Sequence, residues 1–295
     1  MHTATYYIDL LLSGITVGSL YALIAIGYTM VYGILRLINF AHGDIFMMAG
    51  FFMVYISASM PMAVAIPVVL IMTVALGLLI ERAAYKPLRS APRMSVMISA
   101  IGVSYLLQNL ATYITGGLAR PYPEIPFLKG TFMLGALKIK IITVVTPLLT
   151  ILLVIALVIF INHTKTGMAM RAVSRDFDTA HLMGIKVNNI ISVTFIIGSF
   201  LAGVGSILYF SNYGQVSPTI GAMPGLKAFV AAVFGGIGSI PGAVLGAYII
   251  GICESLIKAN DAIAIFSNAF TFALLILVLL FKPNGMFGEK LAEKV

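Results

Sequence analysis

The sequence predicts an all-α fold, a polytopic transmembrane helical bundle of about eight hydrophobic segments with broken or re-entrant helices. Three observations predict it: charge is scarce, charge-free windows recur at spanning length, and polar or glycine-rich runs interrupt two of the apolar stretches. Of 295 residues, 60% are hydrophobic and only 9% are charged, with a mean hydropathy of +1.06. A soluble domain usually carries about 25% charged residues. So few charges cannot cover a water-facing surface of this size, and lipid is the solvent for most of the chain.

None of the 26 residues between Asp9 and Arg36 is charged. The windows Ile45–Ile80, Met94–Ala119, Ile141–Thr164, Val187–Leu226, Ala228–Cys253 and Ala262–Phe281 are equally free of charge. A helix needs about 20 apolar residues to cross a hydrocarbon core of roughly 30 Å. The predicted segments are therefore Leu10–Tyr32, Ile38–Ser57, Met62–Ile80, Met94–Ile114, Ile141–Ile161, Ile190–Phe210, Leu226–Ile257 and Ala264–Phe281, in one transmembrane domain spanning 1–295. Strands of alternating polarity are absent, which excludes a β-barrel. No Lys or Arg precedes Arg36, so the first span is expected to serve as its own insertion signal. The single cysteine, Cys253, excludes an internal disulfide and a cysteine-based metal site, and it is expected to be a small buried residue.

Loop charges set the topology. Arg82, Lys86, Arg89 and Arg93 form one basic loop, and Lys165, Arg171, Arg175 and Lys186 another. The positive-inside rule places both in the cytoplasm, so the net charge of +8 reports orientation and not a nucleic-acid surface. The stretch Gly116–Lys140 is then periplasmic, the N-terminus is outside, and the tail with Lys282, Lys290 and Lys294 is inside. By parity Leu226–Ile257 crosses an even number of times, although its 32 residues are short for two full spans. Gly235-Gly236-Ile237-Gly238-Ser239-Ile240-Pro241-Gly242 sits in its middle, where glycine entropy and the missing proline N–H break a helix. A re-entrant hairpin, or two short helices hinged there, is expected.

Two interruptions are candidates for a substrate path. Asn39-Phe40-Ala41-His42-Gly43-Asp44 breaks an apolar stretch, and a charge inside the bilayer costs at least about 2.5–3.5 kcal/mol, so Asp44 is expected to face a bundle interior or cavity. Broken helices supply free backbone groups and dipole ends to an amino-acid zwitterion. The competing reading makes Asp44 the N-cap of the next helix. The path residues are thus Asn39, His42, Gly43 and Asp44 at the first break, with Gly235, Gly236, Gly238, Ser239 and Pro241 at the second. The second run lacks the Lys-Ser/Thr of a phosphate loop, so nucleotide binding is excluded there. Gly14/Gly18 and Gly238/Gly242 are G-x-x-x-G pairs suited to close helix packing. Glu254 and Lys258 have the i, i+4 spacing of a helical ion pair. The stretch 164–188 interleaves Arg171, Arg175, Asp176 and Asp178 with Ala180, Leu182, Met183 and Ile185, as an amphipathic helix on the cytoplasmic face would. His2, His42, His163 and His181 lie far apart without H-E-x-x-H spacing, and no G-x-S-x-G is present, so no enzyme site is expected.

The run from Gly14 through Gly18, Tyr21, Gly27-Tyr28-Thr29-Met30 and Tyr32-Gly33, with Asn39–Asp44, resembles the LivH-type permeases of high-affinity branched-chain amino-acid ABC transporters. The resemblance continues at Glu81-Arg82 to Arg89, at Ile98–Gly102, and from Lys227-Ala228-Phe229 through Gly235–Gly242, covering nearly the whole chain apart from Arg120–Lys140. It implies a permease in a bacterial inner (plasma) membrane that pairs with a second, LivM-like permease. Two cytoplasmic ATPase subunits would drive it, and a periplasmic amino-acid-binding protein would deliver leucine, isoleucine or valine. No cofactor would be bound by this chain, ATP being hydrolysed by the partners. The same resemblance makes Arg171–Gly184 the ATPase-coupling segment. There Asp178-Thr179-Ala180 stands in place of Glu-Ala-Ala, and Ala180 and Gly184 keep the importer spacing, with Arg171, Arg175 and Asp176 beside them. An importer of urea, amides or another amino acid, and a carrier or channel acting alone, are the alternatives.

Overall fold

In hydrocarbon the backbone has no partner but itself, so each charge-free window becomes a helix. The computed structural model describes residues 2–89, 91–134, 137–282 and 285–287. The helices are α1 (His2–Leu35), α2 (His42–Ser57), α3 (Met62–Ile80), α4 (Arg93–Thr115), α5 (Ile141–His163), α6 (Lys165–Arg175), α7 (Phe177–Leu182), α8 (Val187–Tyr213), α9 (Ala222–Gly235), α10 (Ile240–Lys258), α11 (Asp261–Ala264) and α12 (Ser267–Phe281). Four short strands lie in the loops: β1 (Arg120–Pro121), β2 (Thr131–Leu134), β3 (Leu137–Lys140) and β4 (Gln215–Val216).

Among the described residues seven helical stretches are long and apolar enough to cross a membrane, whereas α2 and α9 are too short. The eight expected segments resolve accordingly: Ile38–Ser57 is a half-helix entered by an extended link, and Leu226–Ile257 divides into the short α9 and the full-length α10. Gly116–Lys140, expected as a loop, contains an antiparallel β2–β3 hairpin, and Arg120 and Pro121 pair with Val216 and Gln215 of β4. Of the tail residues, Lys290 and Lys294 lie outside the described residues.

Long antiparallel pairs build the bundle. The α1 and α10 axes touch along most of their length: a Cβ on Gly14 would lie 2.9 Å from the Ile252 Cα, one on Gly18 would lie 2.8 Å from the Tyr248 Cα, and Gly33 sits beside Gly238. At the outer end Tyr6 Oη donates to the Ala259 carbonyl and Ser255 Oγ to that of Leu10. Small residues permit this approach where no hydrophobic effect drives helices together. Gly14 and Gly18 therefore pack as the sequence expects, with Gly251 wedged between them, but Gly238 belongs to a turn and Gly242 packs on Gly235 across it. Cys253 is exposed on α10, not buried, because the face that packs on α1 carries Gly251 and Ser255 instead.

The element order repeats with opposite sense. A long helix, a half-helix, an antiparallel helix and a further span occur as α1–α2–α3–α4 and again as α8–α9–α10–α12. Contacts interchange in the same way: α1 packs on α10 as α8 does on α3, α9 touches α1 as α2 touches α8, and α12 touches α9 as α4 touches α2. This is the order of an inverted repeat, with α1 and α8 crossing where Gly27 meets Gly198.

Both basic loops fall at one end, as the charge pattern expects. A π-helical turn, Glu81–Tyr85, and a 3-10 turn, Lys86–Leu88, prolong α3 there. Glu81 is buried and takes hydrogen bonds from Arg89 and from Ser192 Oγ at 3.1 Å, while Arg89 also reaches Asn188. Burial lowers the Arg89 pKa from its ordinary value, and the Glu81 carboxylate pushes it back up. At the same end Gly285 lies on Gly236, and the amides of Met286 and Phe287 donate to the carbonyls of Phe234 and Gly235 at 2.9 and 3.0 Å. The chain's end thus closes the C-terminus of α9.

Replacing Gly251 by leucine places side-chain atoms inside the α1 backbone, where forced overpacking costs about 1–3 kcal/mol. The thermal unfolding midpoint in detergent is expected to fall. Gly102→Leu on α4, which has open space around it, serves as the control that should not move. Equal midpoints for both variants would contradict the α1–α10 contact.

Candidate functional site

The two half-helices meet at their N-termini. Gly27 of α1, against which the His42 ring rests, lies eight residues before Leu35. At 1.5 Å per residue the start of α2 is about 12 Å inside the end of α1. From the other side, Val216 packs beside Gly50 of α2, and the chain then descends to Gly221 beside Gly43. A Cβ on Gly43 would lie 2.7 Å from the Gly221 carbonyl oxygen and 3.1 Å from the Gly225 Cα. Only glycines allow this crossing. It sets two helix N-termini, each the positive end of its dipole, together at membrane depth.

Side chains of the first break surround the crossing. Asn39, His42 and Asp44 are each at most 2% exposed. Asn39 Oδ1 accepts from Tyr85 Oη at 2.9 Å, which ties the link between α1 and α2 to the π turn. Its Nδ2, and Nε2 of His42, find no hydrogen-bond partner among the described residues. Buried polar atoms are seldom left so, and two at one place mark a site whose partners come from elsewhere. The His42 ring stands edge-on to Tyr28 at 4.9 Å. Asp44 does not cap α2: the N-cap is Ala41, without a side-chain bond. The Asp44 carboxylate turns sideways and accepts from Gln108 Nε2 of α4 at 3.0 Å, and the same amide also reaches Ser104 Oγ at 3.2 Å.

Below the crossing, Tyr28, Tyr32, Ile38, Phe229, Ala232 and Ile237 line a narrow apolar crevice between α1 and α9 whose volume, about 10 Å³, is that of a single water. Polar atoms at the half-helix starts thus stand above an apolar wall. Among the described residues no group of three or more His, Cys, Asp or Glu could hold a metal.

The second expected break lies elsewhere. Gly235, Gly236, Gly238, Ser239 and Pro241 form the α9–α10 turn, beside Gly33 in the last turn of α1. Gly236 and Gly238 take φ of 105° and 101°, and Ser239 Oγ caps α10 by accepting from the Gly242 amide at 3.2 Å. The turn is therefore at the end of the bundle that carries the basic loops. The break at depth is 217–221, which lies between the expected segments Ile190–Phe210 and Leu226–Ile257; Ser217, Pro218 and Thr219 interrupt a helix but carry no charge to show that the next one begins at depth.

The cytoplasmic segment forms a separate cluster. The single amphipathic helix expected for 164–188 is two, because Asp176 accepts from the Thr179 amide at 3.0 Å and starts α7. Ala180 is buried, Gly184 ends α7 at φ 82°, Arg175 and Asp178 point outward, and Arg171 reaches Asn162. Leu182 and Met183 project from this face, 85% and 79% exposed. Arg36, at φ 56° after α1, donates to the Ser174 carbonyl at 3.1 Å and so joins this cluster to the link that leads to Asn39. Arg36, Tyr85, Gln108 and Lys227 were absent from the sequence-derived site. Gln108 and Lys227 carried the only available signal, a lone polar group bounding or interrupting an apolar window.

Deleting one partner of the Asp44–Gln108 bond strands the other, at about 1–3 kcal/mol. Asp44→Leu and Gln108→Leu are each expected to lower the unfolding midpoint, and the double variant to regain most of the loss. A double variant as unstable as the sum of the two would refute the pairing.

Residues 10–279 match the family model described as "Branched-chain amino acid transport system / permease component". The chain is 42% identical to the high-affinity branched-chain amino acid transport system permease protein BraD of Pseudomonas aeruginosa, over 98% of both chains. It is 40% identical to the corresponding permease protein LivH of Escherichia coli, again over 98% of both. A probable branched-chain amino acid transport permease protein LivH of Methanocaldococcus jannaschii is 28% identical over 92% of this chain and 89% of that one.

Proposed function

The chain belongs to the branched-chain amino acid transport permease family, and we propose that it is a transmembrane half of an ABC importer carrying leucine, isoleucine and valine across the bacterial inner membrane. The observation that carries this reading is identity over 98% of both chains to BraD and LivH, with no domain left unmatched. A second, LivM-like permease completes the passage, two ATPase subunits bind the cytoplasmic face, and a periplasmic binding protein delivers the substrate.

The geometry supports a division of labour. The half-helix starts, with Asn39 and His42 presenting unpartnered polar atoms, suit the zwitterionic head of an amino acid. The apolar wall of Tyr28, Tyr32, Ile38 and Phe229 would line an aliphatic side chain once the crevice widens during the cycle. Transmission runs from outside the chain. An ATPase closing on Leu182 and Met183 would move α6 and α7, and Arg36 links α6 to the segment that positions α2. The passage would then open alternately outward and inward by rocking of the two inverted repeats about the Gly27–Gly198 crossing.

Labelled leucine uptake by cells with and without this chain tests the substrate. Uptake should be lost on deletion and competed by isoleucine and valine but not by urea. Uptake unchanged by deletion, or competition by urea, would overturn it. Purified chain in liposomes should move no leucine until the ATPases, the second permease and the binding protein are added. Leu182→Asp with Met183→Asp should leave folding intact, since both side chains are exposed, yet abolish co-purification of the ATPase.

A further inference from the structure

A buried ionic cluster lies apart from the half-helix crossing, near the outer end of α10 and reached by Tyr21 from the middle of α1. Glu254 of α10 is 3% exposed, and its Oε1 accepts from Lys227 Nζ of α9 at 2.7 Å and from Lys258 Nζ at 2.6 Å. Its Oε2 accepts from Tyr21 Oη of α1 at 2.8 Å. The Lys227 side chain is 6% exposed and that of Lys258 is 52% exposed. Lys227 is the sole charged residue of α9, so one ionic bond joins this half-helix to the α1–α10 pair. Above it the chain offers only the non-helical link 217–221, which cannot carry load as a continuous helix would.

The two ammonium groups share one oxygen but not one element. Lys258 is on the same helix as Glu254, four residues on, and stays with it whatever α9 does. Lys227 leaves when α9 leaves. Removing one partner from a buried pair is costly because it strands the other. With Lys258 in place Glu254 is never stranded, and the penalty of separation falls on Lys227 alone.

We propose that Lys227 is a positioning residue for transport. Its bond to Glu254 latches the outer part of α9 against α1 and α10 in the resting state, and Lys258 retains the carboxylate when the latch opens. This rests on the importer reading only in assuming that α9 moves during the cycle. The latch holds Gly221 and Gly225 against Gly43 without any contact of its own at the crossing.

The test uses the assembled importer in proteoliposomes, with Cys253→Ser to remove the native thiol and Thr219→Cys, at the exposed position of the link 217–221, as the reporter. A membrane-impermeant thiol reagent is added from the outer side. Lys227→Met should raise the resting labelling rate several-fold and lower the maximal transport rate while leaving the half-saturating concentration of loaded binding protein unchanged. Lys227→Arg should restore both. Because Lys227→Met leaves Glu254 with Lys258 alone, Lys227→Met with Glu254→Gln is the second variant. It carries no unpaired buried carboxylate, so it should assemble and label as fast as the single variant. Lys258→Met should label at the wild-type rate yet turn over more slowly. Wild-type labelling in both Lys227→Met and Lys227→Met with Glu254→Gln, or failure of arginine to rescue an assembled complex, overturns the latch. Wild-type turnover in Lys258→Met overturns the role of Lys258. The labelling contrast does not need leucine, so it survives if the substrate assignment fails.

Discussion

The whole arrangement depends on one constraint: a helix that begins inside hydrocarbon exposes amide groups that water cannot reach. This chain has two such beginnings, at His42 and Ala222, and buries them against each other. Gly43, Gly221 and Gly225 permit that contact by having no side chains. The surrounding elements are then placed to hold it. Tyr85 grips the first link through Asn39, Gln108 grips the first turn of α2 through Asp44, and Lys227 anchors α9 to Glu254.

The inverted order of elements gives this crossing a mechanical meaning. Each half-helix packs on the long helix of the opposite repeat, α2 on α8 and α9 on α1, so neither repeat can tilt without carrying part of the other. The polar atoms left open at Asn39 and His42 lie where the two repeats meet, the place that would change face under the proposed rocking. Leu182, on the face proposed to meet the ATPases, belongs to α7, and the Arg36–Ser174 bond ties the neighbouring α6 to the link before α2.

Most of the architecture was legible in the sequence, because lipid imposes length and composition on a span. The basic loops at Arg82–Arg93 and Lys165–Lys186 fall at one end, and the break at Asn39–Asp44 is where its polarity put it. What was not legible follows from what composition cannot encode. A break made without charge, at Ser217–Gly221, looks like an ordinary loop outside the membrane, and a conspicuous run of glycines, Gly235–Gly242, looks like a break at depth although it is a turn at the end. Capping and cross-helix bonding of Asp44 are indistinguishable from spacing alone, since the choice depends on Gln108, which is distant in sequence. The Glu254–Lys258 pair was visible at i, i+4, whereas Lys227 required knowing that α9 folds back on α10.

The closure of α9 by the backbone amides of Met286 and Phe287 has a consequence for synthesis. A helix whose last carbonyls await residues near the end of the chain cannot finish during translation of its own segment. The second repeat must linger in an incomplete form beside the translocon until residues 285–287 emerge, and the first, whose α2 start is covered by Gly221 and Gly225, waits on α9 in turn. Biogenesis of this protein is therefore asymmetric in time even though its architecture is nearly symmetric in space.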